Sequence, residues 1–553
     1  MLDNIKAEIE KILYPYVEAQ STTGTTLERE AEDFLVNFFK NIEYFKRKPQ
    51  YTGIYKLSND PLERSVCYAM IKGEGDDTVV FIHHYDVVDT EGFKLLRPFA
   101  YCPEALELEL LKIKESLNED CQSDLESNDF LFGRGTADMK GGGSIQLALL
   151  KKYSEIENLK GNILLIAVPD EENLSAGMRS AVKFLDEIKI QYNLNYMLII
   201  NSEPHLRKKK DIGIISEGSV GKVMPFVYVR GHMTHIGKVF DGFNPINLLC
   251  EIVRETELNL ELSDSVNNET SPPPTWLYLK DNKQHYNATM PLSASGCVSI
   301  LTLKKTPSEI LGKVTSICNN AFDKIILQMN ERYSSYKIGM GEEFETLPWK
   351  THVITFRDLY NEAIGKHGVL FKNNFDKKLK ELIINLNSGE VSMIESSFNL
   401  IEAIYDYIDD YSPRVVIGLS PIYYPSVSNI FFDNLSTKVA NLSEGLRKYS
   451  KETFGQDYKT ELFFTGISDL SYTSIQDSRN VIKTLEESMP LYGNYYEIPI
   501  ECIERVSMPC INIGPWGKDF HKLTERVYKE DLFKRTPELI HYAVSNILSW
   551  NIK

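Results

Sequence analysis

Apolar and polar positions follow a helical period at the start of the chain. Ile5, Ile9, Ile12, Leu13 and Tyr16 share one face of a predicted helix, and Leu27, Ala31, Phe34, Leu35 and Phe38 share a face of a second. The polar stretch 20–25 between them is a loop with helix N-cap chemistry. Residues 78–83 form a continuous apolar run that is too short for a helix and suits a strand buried on both faces. After a charged insert at 104–127, expected to be helical and peripheral, the pattern becomes regular. A helix opens at the glycines 141–143, a strand covers 162–168, a helix 176–188 and a strand 196–200. Strands alternating with helices through short links predict a doubly wound α/β domain with a parallel sheet.

Beyond residue 213 the pattern suggests a smaller unit. A strand at 222–229, a turn at 231–237, a helix at 244–256, a strand at 298–303 and a helix at 308–329 predict an inserted α/β sandwich with two helices on a sheet. Helices are expected at 356–364, 377–386 and 395–409, followed by a strand at 414–419 that rejoins the first sheet. A helix at 435–454, a short strand at 511–513 and a closing helix at 537–550 complete the chain. The expected division is a catalytic domain in two segments, 1–214 and 348–553, with the inserted domain at 215–347. A chain of 553 residues also exceeds one core at ~150 residues per domain.

Composition narrows the function classes. Hydrophobic content of 42% with 25% charged residues is that of a soluble globular protein. A formal net charge of -17 opposes binding to a polyanion, so nucleic acid is not an expected partner. No apolar run approaches the ~18 residues of a membrane helix, and the N-terminal segment has no apolar signal core. A cytoplasmic location is expected. The eight cysteines contain no Cys-x-x-Cys pair, which fits reduced structural thiols. The basic run 207–210 is expected to be a solvated loop.

In doubly wound sheets ligands collect at the carboxyl ends of the strands. His84 and Asp86 follow one predicted strand, Asp170, Glu171 and Glu172 a second, and Glu203 a third, so these side chains share one rim. On an extended chain residues two apart face the same side, so Asp86 can hold one nitrogen of His84 while the other binds a metal; His83 faces away. Three adjacent acids at a strand end repel one another unless cations neutralise them. One of the two glutamates can then ligate while the other serves as general base. Asp138 lies in Gly133-Arg134-Gly135-Thr136-Ala137-Asp138-Met139-Lys140-Gly141-Gly142-Gly143, where missing β-carbons permit close approach of backbone and ions. The competing dinucleotide fingerprint would set Asp138 at its third glycine position, where a carboxylate repels a pyrophosphate. A late histidine, His521, sits in a Gly-rich loop, with Glu525 one turn on.

Taken in order, His84-x-Asp86, Gly133-Arg134-Gly135-x-x-Asp138-Met139-Lys140-Gly141-Gly142, Asp170-Glu171-Glu172, Glu203-Pro204, Gly231-x-x-x-His235 and His521 resemble the M20 family of metallopeptidases and amidohydrolases. The resemblance implies a zinc-exopeptidase-like mixed sheet with helices on both faces, plus an inserted lid or dimerisation domain. It implies two divalent ions, zinc first, with cobalt or manganese as alternatives. One ion would be held by His84, Asp138 and Glu203 and the other by Asp138, Glu172 and His521, with Asp138 shared. Glu171 would be the general base, Asp86 would orient His84, and the Asp138–Met139 peptide would be cis. His235 would stabilise the oxyanion, and in dimeric relatives it reaches the partner's site, so the resemblance leaves open a homodimer and whether His235 acts within one chain or across two.

The implied substrate is a small amino-acid derivative, a dipeptide or an N-acyl amino acid, cleaved at an amide bond. The stretches Ser202-Glu203-Pro204-His205, Gly466-Ile467-Ser468-Asp469-Leu470-Ser471-Tyr472 and Gly514-Pro515-Trp516-Gly517-Lys518-Asp519 resemble a branch of the family tied to arginine utilisation. The chain departs from the simple family pattern in the long insert at 90–128 and in the long stretch before Arg414. A catalytically silent protein that binds an amino-acid derivative is the alternative. A two-zinc aminopeptidase without an inserted domain is disfavoured by 231–237.

Overall fold

The computed structural model describes residues 2, 4–207, 209–283 and 285–550. They form two bodies, a larger one from the segments up to Val220, Val427–Gln476 and Pro499 onward, and a smaller one from Gly221–Ser426 and Asp477–Ile498.

The larger body is built on an eight-stranded mixed sheet. Its order is Thr52–Lys56, Ser65–Lys72, Lys160–Val168, Glu74–His84, Asn195–Asn201, Cys510–Asn512, Ile212–Ser216 and Asp457–Glu461. The apolar run that begins at Thr78 is buried to its end at His84 because it is central, with parallel neighbours on both sides. Alternate residues serve opposite faces. Cys67, Ala69 and Ile71 join the core beneath the helices Ile5–Glu18, Lys140–Tyr153 and Thr536–Ile547, while the Tyr68 ring lies tilted against Phe184 of the helix Ala176–Tyr192 on the other side, centroids 4.5 Å apart. Helices therefore cover both faces. The strand register aligns His84 with Val168 and Ile82 with Asn201, which brings the residues after each strand to one rim.

The smaller body has its own six-stranded sheet. The strands Thr275–Asp281, Ser293–Thr302, Pro225–Arg230, Arg414–Leu419 and Val353–Thr355 lie in that order, and Gly221–Val223 pairs with the far end of Ser293–Thr302. One face carries the helices Pro245–Thr256 and Pro307–Gly339. The other carries Phe356–Asn387 and Met393–Tyr405 over Phe226 and Tyr228.

This corrects two expectations. The strand Arg414–Leu419 does not rejoin the first sheet; it runs antiparallel to Pro225–Arg230, from Pro225 opposite Leu419 to Arg230 opposite Arg414. A six-residue fully buried strand fits the middle of any sheet, and its side chains alone do not specify which. The inserted body consequently extends well past 347, taking in residues to Ser426 and again Asp477–Ile498, and among the described residues it holds five α-helices, Ser478–Ser488 the last of them, where two were expected. Gly418 allows this pairing, because a β-carbon there would lie 2.4 Å from Cζ of Phe226.

Among the described residues no helix is long and apolar enough to cross a membrane. All eight cysteines are free.

Phe226 sits at the centre of the smaller sheet and packs edge-on against Phe398 at 5.7 Å. Phe226→Ala is expected to cost about 3–5 kcal/mol in denaturant unfolding of this body. A loss below about 1 kcal/mol would contradict the packing described.

Candidate metal centre

The helix Lys140–Tyr153 begins against the end of the strand Asn195–Asn201. A β-carbon at Gly142 would lie 2.1 Å from the carbonyl oxygen of Ser202, so only glycine permits this approach. The approach carries Asp138, two residues before the helix, to the rim that holds Glu203. The peptide Asp138–Met139 is cis.

Asp138 presents one oxygen to each of two imidazoles. Oδ1 is 3.2 Å from His84 Nε2 and Oδ2 is 3.2 Å from His521 Nε2. His84 Nε2 is also 3.4 Å from Glu203 Oε1 and 4.0 Å from Glu171 Oε2, and His521 Nε2 is 3.1 Å from Glu172 Oε1. Two donor sets, His84 with Asp138 and Glu172, and His84 with Glu171 and Glu203, each fit within 4.8 Å. The five residues named as ligands from the sequence therefore converge, although they span more than four hundred positions.

These spacings suit divalent ions. Ligand bonds of ~2.1 Å in tetrahedral geometry put neighbouring donor atoms roughly 3.4 Å apart, close to the separations here. The electrostatics agree. Burial, with neighbouring carboxylates, raises Glu171 well above the ordinary range and pushes Glu203 up to about 7, and Glu172 is raised in the same way. Burial would also raise Asp138, but hydrogen bonds from His521 and His84 outweigh it and hold this carboxyl low. His521 is raised to about 10 by Asp138 and Glu172.

Asp86 has a wider role than expected. The Nδ1 atom of His84 meets the carbonyl oxygen of Asp86 at 2.9 Å, while the nearest carboxylate oxygen is 3.6 Å away. The carboxylate instead accepts the backbone N–H groups of Glu171 and Glu172, both at 3.1 Å. The chain turns after His84, so the carbonyl, and not the side chain two residues on, reaches the ring. His83 faces away as predicted and meets Gln146 at 3.0 Å.

The loop that carries Glu171 and Glu172 is anchored from behind. Asp170, in a left-handed conformation at φ 69°, accepts Arg64 Nη1 at 2.5 Å, and the same nitrogen donates to Glu28 at 2.9 Å. Glu525 fixes the Asp138 loop: it accepts the N–H groups of Gly135 at 2.7 Å and Asp138 at 3.3 Å and pairs with buried Arg134. Within the basic run Lys209 and Lys210 are exposed, as expected of a solvated loop, but the Arg207 side chain is buried and paired with Asp531, which sequence spacing could not reveal. Lys208 lies outside the described residues.

One residue at the site carried no role in the sequence reading. Asp469, on the short helical turn Asp469–Tyr472, is 3% exposed and has Ser175 as a hydrogen-bond neighbour. Burial pushes it up, with Asp86 and Glu203 adding to the rise. Its only sequence signal is its place in Gly466-Ile467-Ser468-Asp469. His235 belongs to the smaller body, is exposed, and accepts the N–H of Gly237 at Nδ1.

A family model described as peptidase family M20/M25/M40 matches residues 111–540, and the chain belongs to that family. It is 30% identical to YqjN of Bacillus subtilis, over 98% of this chain and 97% of that protein. It is 27% identical to protein RocB of the same organism, over 99% and 96%. Among solved structures, a tripeptidase from Staphylococcus aureus has a TM-score of 0.51 at 11% identity, covering 98% of this chain and 99% of that one. The dipeptidase Dug1p of Saccharomyces cerevisiae has a TM-score of 0.51 at 12% identity, covering 100% and 98%. Fold and enzyme class follow: a mixed α/β metallopeptidase-type hydrolase.

Glu525→Ala would leave Arg134 buried without its partner, and a loss of about 3–5 kcal/mol in unfolding stability is expected. A change under about 1 kcal/mol would show that this pair does not hold the Asp138 loop.

Proposed function

We propose that the protein hydrolyses an amide bond in a small amino-acid derivative at a site holding two divalent ions, zinc first among them. The supporting observation is the convergence of His84, Asp138, Glu172, Glu203 and His521 around one doubly facing carboxylate, with Glu171 buried beside them. His84, Asp138 and Glu203 would hold one ion and Asp138, Glu172 and His521 the other. When bound, such a pair acidifies a water and polarises the scissile carbonyl.

Asp86 keeps His84 and the Glu171–Glu172 backbone in register through its carbonyl and carboxylate. Oε2 of Glu171, with the raised proton affinity that burial confers, accepts a proton from the attacking water and returns it to the departing amine nitrogen. His235 donates to the oxyanion. The larger body is the catalytic domain and the smaller body the lid. Similarity to RocB and the arginine-utilisation motifs favour an arginine- or ornithine-related substrate. We take the enzyme to act in the cytoplasm, with a homodimer as one possible assembly, away from membrane and, in line with its net charge of -17, from nucleic acid.

Glu171→Gln is expected to keep both metals and lose about 10²-fold or more in turnover on dipeptides or N-acyl amino acids. Near-normal turnover with both metals bound would remove the general-base role. His235→Ala is expected to lower kcat by ~10²-fold with metal content unchanged; an unchanged kcat would remove the oxyanion role. A metal-replete wild type that is inert on every such substrate would favour a binding protein over an enzyme.

A further inference from the structure

The insert at 90–128 is tied to the loop that carries His521. That loop, residues 519–525, closes a hairpin between Gly517–Lys518 and Arg526–Tyr528, and the second strand pairs in turn with Phe130–Phe132 at the end of the insert. Lys518 and Arg526 face each other in this hairpin, a like-charge pair that is unfavourable without compensation. The compensation comes from the helix Glu119–Ser127. Arg526, fully buried, donates from Nε to Asp124 at 2.7 Å and from Nη2 to Asp120 at 2.7 Å. Lys518 Nζ donates to the same two carboxylates at 2.8 and 2.7 Å.

The remaining arm of Arg526 reaches toward the metal centre. Nη1 donates to Asp519 at 2.5 Å, and Asp519 also accepts Thr524 Oγ1 at 2.9 Å across the loop. Asp519 and His521 are both held at left-handed φ, 53° and 65°, conformations that non-glycine residues adopt only when their surroundings enforce them. Apolar packing supports the same contact, since Phe93, Leu106, Leu110 and Cys121 of the insert form one cluster with Phe130, Phe132 and Trp516.

We propose that the insert is a brace whose Asp120 and Asp124, through Arg526 and Asp519, position His521 and thereby set the affinity of the His521-side ion. This rests on the two-ion reading above. Positioning partners behind metal ligands commonly contribute about 10–100-fold in affinity. The ion on the His84 side has no ligand in the braced loop and is left unchanged.

The test is Zn²⁺ titration of the full-length protein against a competing chelator. Wild type should bind two ions, and His521→Ala should lose one of them. Asp120→Asn combined with Asp124→Asn should weaken that same ion by about 10–100-fold and leave the other alone. Arg526→Lys, which keeps the charge but not the three-armed fork, should behave like the double variant, and Asp124→Glu should recover affinity. If the double variant does not fold, Asp120→Asn alone, at a carboxylate 65% exposed, should weaken the same ion severalfold. A lowered melting temperature with both affinities intact would overturn the brace and leave the two-ion reading standing. A wild type that binds fewer than two ions would overturn that reading, and the brace with it.

Discussion

Four carboxylates, Asp138, Glu171, Glu172 and Glu203, are forced together by strand ends and a helix start that have nowhere else to go. Two like unit charges 4 Å apart repel by about 4 kcal/mol at an effective dielectric of 20, and several such pairs crowd this rim. Two imidazoles supply at most two positive charges against four negative ones. Burial and this mutual repulsion raise the proton affinity of Glu171 and Glu203 above that of ordinary glutamates. A pair of divalent ions would balance the charge without protons and leave the carboxylates free as ligands and base.

The rest of the larger body is arranged so that this crowding cannot relax. Arg64 and Glu28 hold Asp170 behind the two glutamates, Asp86 takes both of their N–H groups, and Glu525 with Arg134 fixes the loop before Asp138. Each anchor is itself buried and hydrogen-bonded. Removing one member would leave its partner's charge buried and uncompensated, so each anchor is costly to break even where the intact pair adds little net stability over an apolar replacement. Asp469 is equally buried and close enough to raise Glu171.

Much of this was legible in the sequence where the physics is local. The helical face of Ile5, Ile9, Ile12 and Leu13, the apolar run ending at His84 and the Gly-rich helix start each follow from spacing alone. The placement of His84, the acids after Val168 and Glu203 on one rim follows from parallel strands ending at one level. What was not legible depends on partners far away in the chain. The strand Arg414–Leu419 is apolar from Val415 on, is buried throughout and fits either sheet, and Arg207 finds Asp531 only in the folded chain. The insert looked peripheral because the partners of Asp120 and Asp124, Lys518 and Arg526, lie about four hundred positions on. Asp86 was assigned by side-chain parity, whereas the backbone turn substitutes its carbonyl.

The shared carboxylate is tested most directly by counting metals in Asp138→Asn beside wild type, by elemental analysis of folded protein with Zn²⁺ supplied. Two ions per chain in wild type and loss of both in the variant would show that one aspartate serves the pair. A variant that keeps its full metal complement would mean that Asp138 does not join the two sites.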